Sequence, residues 1–118
     1  MKVLVGSDST WKVERRVGIY VPNVARVAVR NEGHAVVLFI GQARVELRTP
    51  EAHKMGFALI RCADSCIDEN TLDFVVLTVN GSEIHIEAAP ARQLAGALLR
   101  KADLVDRFQN ENKLRIVK

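Results

Sequence analysis

Apolar and polar residues alternate twice along this chain on either side of a two-residue break. Val36–Ile40 and Ala43–Arg48 flank Gly41-Gln42, and Phe74–Val79 and Ser82–Glu87 flank Asn80-Gly81. A period of two is the signature of a strand with one buried face. Asn-Gly between two such runs predicts a hairpin, because a type I′ turn needs positive φ at both central positions. Two-residue turns fix the register. Leu38 then faces Val45 and Val36 faces Leu47, while Leu77 faces Ile84 and Val75 faces Ile86. All eight are aliphatic and share one face. The other face pairs Phe39 with Arg44, Val37 with Glu46, Thr78 with Glu83 and Val76 with His85. A slip of one residue would mix the faces in both hairpins, so the register is well specified.

Helical spacing follows each hairpin. Met55, Leu59, Ala63 and Cys66 form one apolar stripe, and Leu94, Leu98, Ala102 and Val105 form another, each 39 residues later. Pro50 and Pro90 stand near the starts, where a missing backbone donor does no harm. Both helices hold many small residues, including Gly56 and Gly96. Glycine inside a helix costs about 1 kcal/mol relative to alanine, so a close neighbour is expected beside them.

The offset of 39 recurs elsewhere: Val36-Val37-Leu38 returns as Val75-Val76-Leu77, Ala58-Leu59 as Ala97-Leu98, and Arg61, Ala63 and Asp64 as Arg100, Ala102 and Asp103. The chain therefore reads as two tandem ββα repeats, 36–74 and 75–113, behind N-terminal strands in 1–35. Those strands are Lys2–Gly6, an alternating run from Trp11 to Val21 interrupted by Arg15, and Val24–Arg30. Leu114 and Ile116 alternate with Arg115 and Lys118 as a short closing strand. The expected fold is α+β: one antiparallel sheet of about six to eight strands, with two helices on one face and pseudo-twofold symmetry. The N-terminal strands extend that sheet or cover its second face.

Composition adds bounds. At 118 residues this is a single domain, 1–118, able to bury a core without disulfides or metals. Apolar residues make up 48% but aromatics only 5%, so the core must be aliphatic. No run approaches the ~18 apolar residues of a membrane helix, and Met1–Gly6 is short for a secretory signal. A cytoplasmic protein without membrane contact is expected. The net charge is +3 and uneven. Basic excess lies in residues 1–35 and in the tail, whereas the first repeat is acidic.

Chemistry is harder to find. Cys62 and Cys66 are four apart on one helix, which suits two small apolar side chains rather than a disulfide. His53 lies more than two turns from Cys62, so one helix cannot close a metal site with them. No metal or cofactor is implied. His34, His53 and His85 lack ligand spacing. Ser7, Ser9 and Ser65 lack the context of a hydrolase nucleophile, and no phosphate loop occurs.

Two sets of basic residues remain. Arg61 and Arg100, with Lys101 beside the second, recur with Asp64 and Asp103. These pairs are either solvated neighbours on their own helices or a symmetric grip on an anion, since guanidinium binds phosphate bidentately. Arg15, Arg16, Arg26 and Arg30 could form a basic strip for nucleic acid. Few aromatics accompany them, and no recognised nucleic-acid motif is present. Val37, Phe39 and Val76, opposite the core face, would leave an apolar patch that a homodimer could cover.

The function expected is non-enzymatic binding of an anionic, nucleotide-like ligand or of a host protein. Small chains of this build are common among phage and mobile-element accessory proteins that sequester a signal or block a host factor, which is analogy rather than derivation. The alternatives are a nucleic-acid-binding protein and an enzyme whose site forms between subunits.

Overall fold

The computed structural model describes residues 2–4, 11–22, 27–41, 43–66 and 73–117. In chain order the elements are β1 (Lys2–Leu4), β2 (Trp11–Val17), β3 (Val27–Glu32), β4 (Ala35–Ile40), β5 (Ala43–Leu47), α1 (Thr49–Ser65), β6 (Asp73–Val79), β7 (Ser82–Ile86) and α2 (Ala88–Val117). The class is α+β, with two helices.

Both hairpins form in the expected register. Leu38 pairs with Val45 and Val36 with Leu47, and Leu77 pairs with Ile84 and Val75 with Ile86. Asn80 and Gly81 take φ of 50° and 86°, the left-handed values this turn demands. Asn80 is the only non-glycine with positive φ among the described residues.

The hairpins do not join into one sheet. β3 adds to β4 and β2 adds to β6, both antiparallel. Each hairpin thus gains its third strand from the N-terminal region, and the two sheets stay separate. Their orders are β1-β5-β4-β3 and β2-β6-β7. β1 contributes a short parallel pairing to β5. The eight-strand end of the expected range is not reached among the described residues. The closing strand at Leu114 and Ile116 is one reason, because α2 continues unbroken to Val117. No proline follows Pro90, so nothing in the sequence obliges the helix to stop earlier. Arg15, which interrupts the apolar side of β2, does not fray it. Its guanidinium lies at the sheet end, 3.5 Å from Asp73 and 3.0 Å from the carbonyl of Ser65.

The helices run antiparallel, since His53 of α1 meets Asp103 of α2 while Asp64 meets Arg92. They cross closely at Gly56. A Cβ there would stand 2.9 Å from Cγ of Leu99 and 3.3 Å from the carbonyl oxygen of Ala95. This is the close neighbour that the glycine content implied. α1 rests mainly on β2 and β6, and α2 mainly on β3 and β4. Each helix therefore packs most on the sheet to which its preceding hairpin does not belong, which ties the two halves together. The core is aliphatic, as composition required. Leu38, Leu47, Met55, Leu59, Leu77 and Leu98 are fully buried, each contributing about 1.5–3 kcal/mol.

The outer faces correct a further expectation. Val37 and Val76 are 0% exposed, so they offer no open patch. In each sheet an arginine–glutamate pair joins the two strands that flank β4 or β6. Arg44 of β5 binds Glu32 of β3, its Nη2 donating at 2.8 Å. Arg16 of β2 binds Glu83 of β7 in bidentate fashion at 2.8 and 2.9 Å. Phe39 is half-buried beneath Arg30 and Arg44, whose guanidinium carbons lie 5.5 and 5.8 Å from the ring centre. Long charged side chains lying flat over apolar neighbours do the covering.

Candidate functional site

Two depressions flank the helix pair. The first, about 670 Å³, lies between β2 and α1 and is lined by Trp11, Lys54, Phe57, Ala58, Ile60 and Arg61. The second, about 370 Å³, lies between β3, β7 and α2, with Tyr20 at its edge.

The first is built by the helical period. Met55 and Leu59 hold α1 to the core, so Lys54, Phe57 and Arg61 come out on the flank toward β2. Phe57 is 56% exposed, an unusual position for a ring. Trp11 is anchored, its indole N–H donating to Oε2 of Glu51 at 2.8 Å. Lys54 makes only a loose 3.9 Å contact with the same carboxylate and its side chain is 70% exposed. Among the described residues no carboxylate pairs with Arg61. Two aromatic faces and two cations thus line one depression.

Arg100 is not part of it. Its guanidinium folds back along α2, with Nη1 3.2 Å from where a Cβ on Gly96 would stand. Asp64 and Asp103 do not pair with the arginines three residues before them. They reach across the helix seam instead: Arg92 Nε donates to Asp64 Oδ1 at 3.0 Å, and His53 Nε2 lies 3.3 Å from Asp103 Oδ1. Lys101 is half-buried on α2.

The proposed basic strip is divided between the two sheets. Arg15 and Arg16 of β2 are engaged by Asp73, Glu83 and Glu14, and Arg30 of β3 lies over Phe39. Arg26 falls outside the described residues. The Arg16 guanidinium, with a smaller contribution from His85, holds the Glu83 carboxyl down at about 2. Arg44 likewise lowers Glu32.

Burial pushes both cysteine thiols up, Cys62 and Cys66 alike. That makes them less nucleophilic than a free thiol, which suits packing. His53 does not join them. Its ring lies with Asp103 and Asp106, donor atoms within 4.8 Å of one another, a partly exposed group on the helix seam.

The sequence named Arg61 but missed its setting. Phe57 was the available signal, an aromatic off the stripe formed by Met55, Leu59 and Ala63. Trp11 could not be placed beside it, because the contact spans more than forty residues and depends on which strand lies under α1. No protein-family model matches the chain, and no curated protein and no solved structure is detectably similar to it.

Proposed function

We propose that the chain is a non-enzymatic binding protein whose ligand is a small anion with a flat apolar part, of the nucleotide class, held between Trp11 and α1. The meeting of Lys54 and Arg61 with Trp11 and the exposed ring of Phe57 carries this reading. Guanidinium and ammonium groups bind phosphate, and aromatic faces stack on bases at about 1–3 kcal/mol each. The symmetric grip by Arg61 and Arg100 gives way to a one-sided site in which Arg61 acts alone among the recurring charges. Asp64 and Asp103 then serve the helix seam. An acidic patch on a host protein is the alternative anion, and the role of a phage or mobile-element accessory protein rests on analogy of size and build.

The scaffold itself reads as a tandem ββα duplication with pseudo-twofold symmetry. The seam supports this: His53–Asp103 and Arg92–Asp64 join positions that are 39 apart on both sides. The two outer-face straps support it as well, with Arg44 and Glu83 also 39 apart and their charges reversed.

Trp11 is the single tryptophan, so its fluorescence reports on the site directly. Titration with mononucleotides, cyclic dinucleotides and inorganic phosphate should quench it only for ligands that carry a base. Arg61→Ala and Phe57→Ala should each weaken binding about tenfold, and Arg100→Ala should leave it unchanged. Unaltered fluorescence across all the nucleotides would refute the proposal.

A further inference from the structure

We propose that His53, Asp103 and Asp106 form a site for a divalent metal of the zinc and cobalt class, which ties α1 to α2 apart from the Trp11 depression. The donor atoms of the three residues lie within 4.8 Å of one another. Ligands at ~2.0–2.2 Å from one zinc ion stand about 3–3.5 Å apart, and His53 Nε2 is already 3.3 Å from Asp103 Oδ1. The set comes from two helices. Asp103 and Asp106 are three apart on α2 and share a face, and His53 reaches them from α1. The helix crossing makes this reach possible. Gly56 is three residues past His53, and a Cβ there would stand 2.9 Å from Cγ of Leu99, four residues before Asp103. Backbones that close let a short carboxylate meet an imidazole across the seam. Ala52, Met55, Ala102 and Val105 beside them are buried, so packed helices hold the three ligands in place.

A hydrogen bond accounts for His53 with Asp103, but not for a second carboxylate at the same place. Two carboxylates this near repel each other, and a dication between them reverses that cost. The other end of the seam shows the ordinary arrangement. There one carboxylate, Asp64, receives Arg92 Nε at 3.0 Å, and Arg92 Nη2 also donates to the carbonyl of Ala63 at 3.2 Å. The guanidinium is a permanent cation supplied by the chain. His53 stands 39 residues before Arg92. It offers an imidazole, which is a metal ligand when neutral, and it faces two carboxylates rather than one. One nitrogen and two oxygens select zinc or cobalt over magnesium and calcium, which take all-oxygen sets. The Asp103 side chain is 66% exposed, so water can reach the ion and fill its remaining positions.

Calorimetric titration of the chelator-treated full chain with zinc chloride should show one equivalent bound, and the melting temperature should rise with zinc concentration. Asp103→Asn and Asp106→Asn keep the shape of each side chain, and each should weaken zinc about tenfold or more. Asp64→Asn, at the other end of the seam, should leave zinc binding unchanged. Melting in chelator shows whether each variant is folded. A second measurement needs no variant. Cobalt(II) added to the ¹⁵N-labelled full chain should broaden the amides around His53 and from Asp103 to Asp106, and its absorption should lack the thiolate charge-transfer band that Cys62 or Cys66 would give. Equimolar magnesium should not displace either ion. The absence of a stoichiometric site would overturn the proposal, as would zinc affinity unmoved by Asp106→Asn. So would broadening centred elsewhere, a thiolate band, or displacement by equimolar magnesium. The seam would then hold a hydrogen-bonded His53–Asp103 pair and nothing more.

Discussion

Two glycines on the helices look alike in the sequence and differ in consequence. At Gly56 a new Cβ would meet the branched carbon of Leu99 and the backbone of α2, and neither can give way without parting the helices. Overpacking of this sort costs about 1–3 kcal/mol, more than the ~1 kcal/mol gained in helix propensity. At Gly96 the only obstacle is the end of the flexible Arg100 side chain, which can swing aside. Gly56→Ala should therefore destabilise the protein by about 1 kcal/mol, whereas Gly96→Ala should stabilise it by about 0.5–1 kcal/mol. Denaturant unfolding of the two variants checks the opposite signs. An equal effect at both positions would mean that the close crossing is not at Gly56. The need for small residues in the helices was legible in the sequence. Which of the two glycines marks the contact was not, because that depends on the rotation of one helix against the other.

At the level of elements, each sheet is three antiparallel strands held from outside by a charged strap, with β1 added to one of them. The strap in the second sheet is Arg16–Glu83, and it joins two strands that are not adjacent. Its carboxyl is held at about 2, below the ordinary value near 4.5. A depressed carboxylate contributes stability that is fully present above the unfolded value and is lost as pH falls through the folded one. The melting temperature should therefore drop between about pH 4.5 and pH 2 partly through Glu83, and Glu83→Gln should flatten that part of the profile. The pair is exposed, so the effect is small and screened by salt. An unchanged profile in Glu83→Gln would remove the strap from any account of acid stability. Sequence alternation found the strands of both hairpins and their register, since one buried face leaves no other choice. It left Val37 and Val76 as an exposed patch. Pattern alone does not reveal that Arg16, Glu83, Arg44 and Glu32 reach across the central strands and lie down over them.

For the whole molecule, the pairing of β2 with β6 and of β3 with β4 makes the N-terminal region part of the scaffold rather than an addition to it. α1 rests on β2 and α2 on β3, so removing residues 1–35 would bare an edge of each central strand and much of the helix underside. The chain beginning at Val36 should show no cooperative thermal transition, although it holds both hairpins and both helices. A sharp two-state melt from that fragment would show that the two hairpins and their helices are self-sufficient. Pairing across some sixty residues, as between Glu14 and Val76, also carries a loop-closure entropy that local hairpins avoid. The cleft between β3 and β7 exists only at this scale, since its two walls belong to different sheets and are far apart in the chain.

The sequence by itself determined what local chemistry can enforce. The Asn80-Gly81 turn, the face alternation of four strands, the two apolar helix stripes and the aliphatic core follow from side-chain period, glycine's conformational freedom and the exclusion of apolar groups from water. The tertiary structure decided what depends on distant partners. It separated one expected sheet into two, because N-terminal strands took the edges by which the hairpins could have met. It carried α2 through Leu114 and Ile116, where a two-residue alternation over so short a run also fits a helix. It split the recurring charges, sending Asp64 and Asp103 across the seam and Arg61 to the flank beside Trp11. Strand edges and helix flanks are satisfied by whatever lies next to them in space, and nothing in a residue's own neighbourhood along the chain states what that will be.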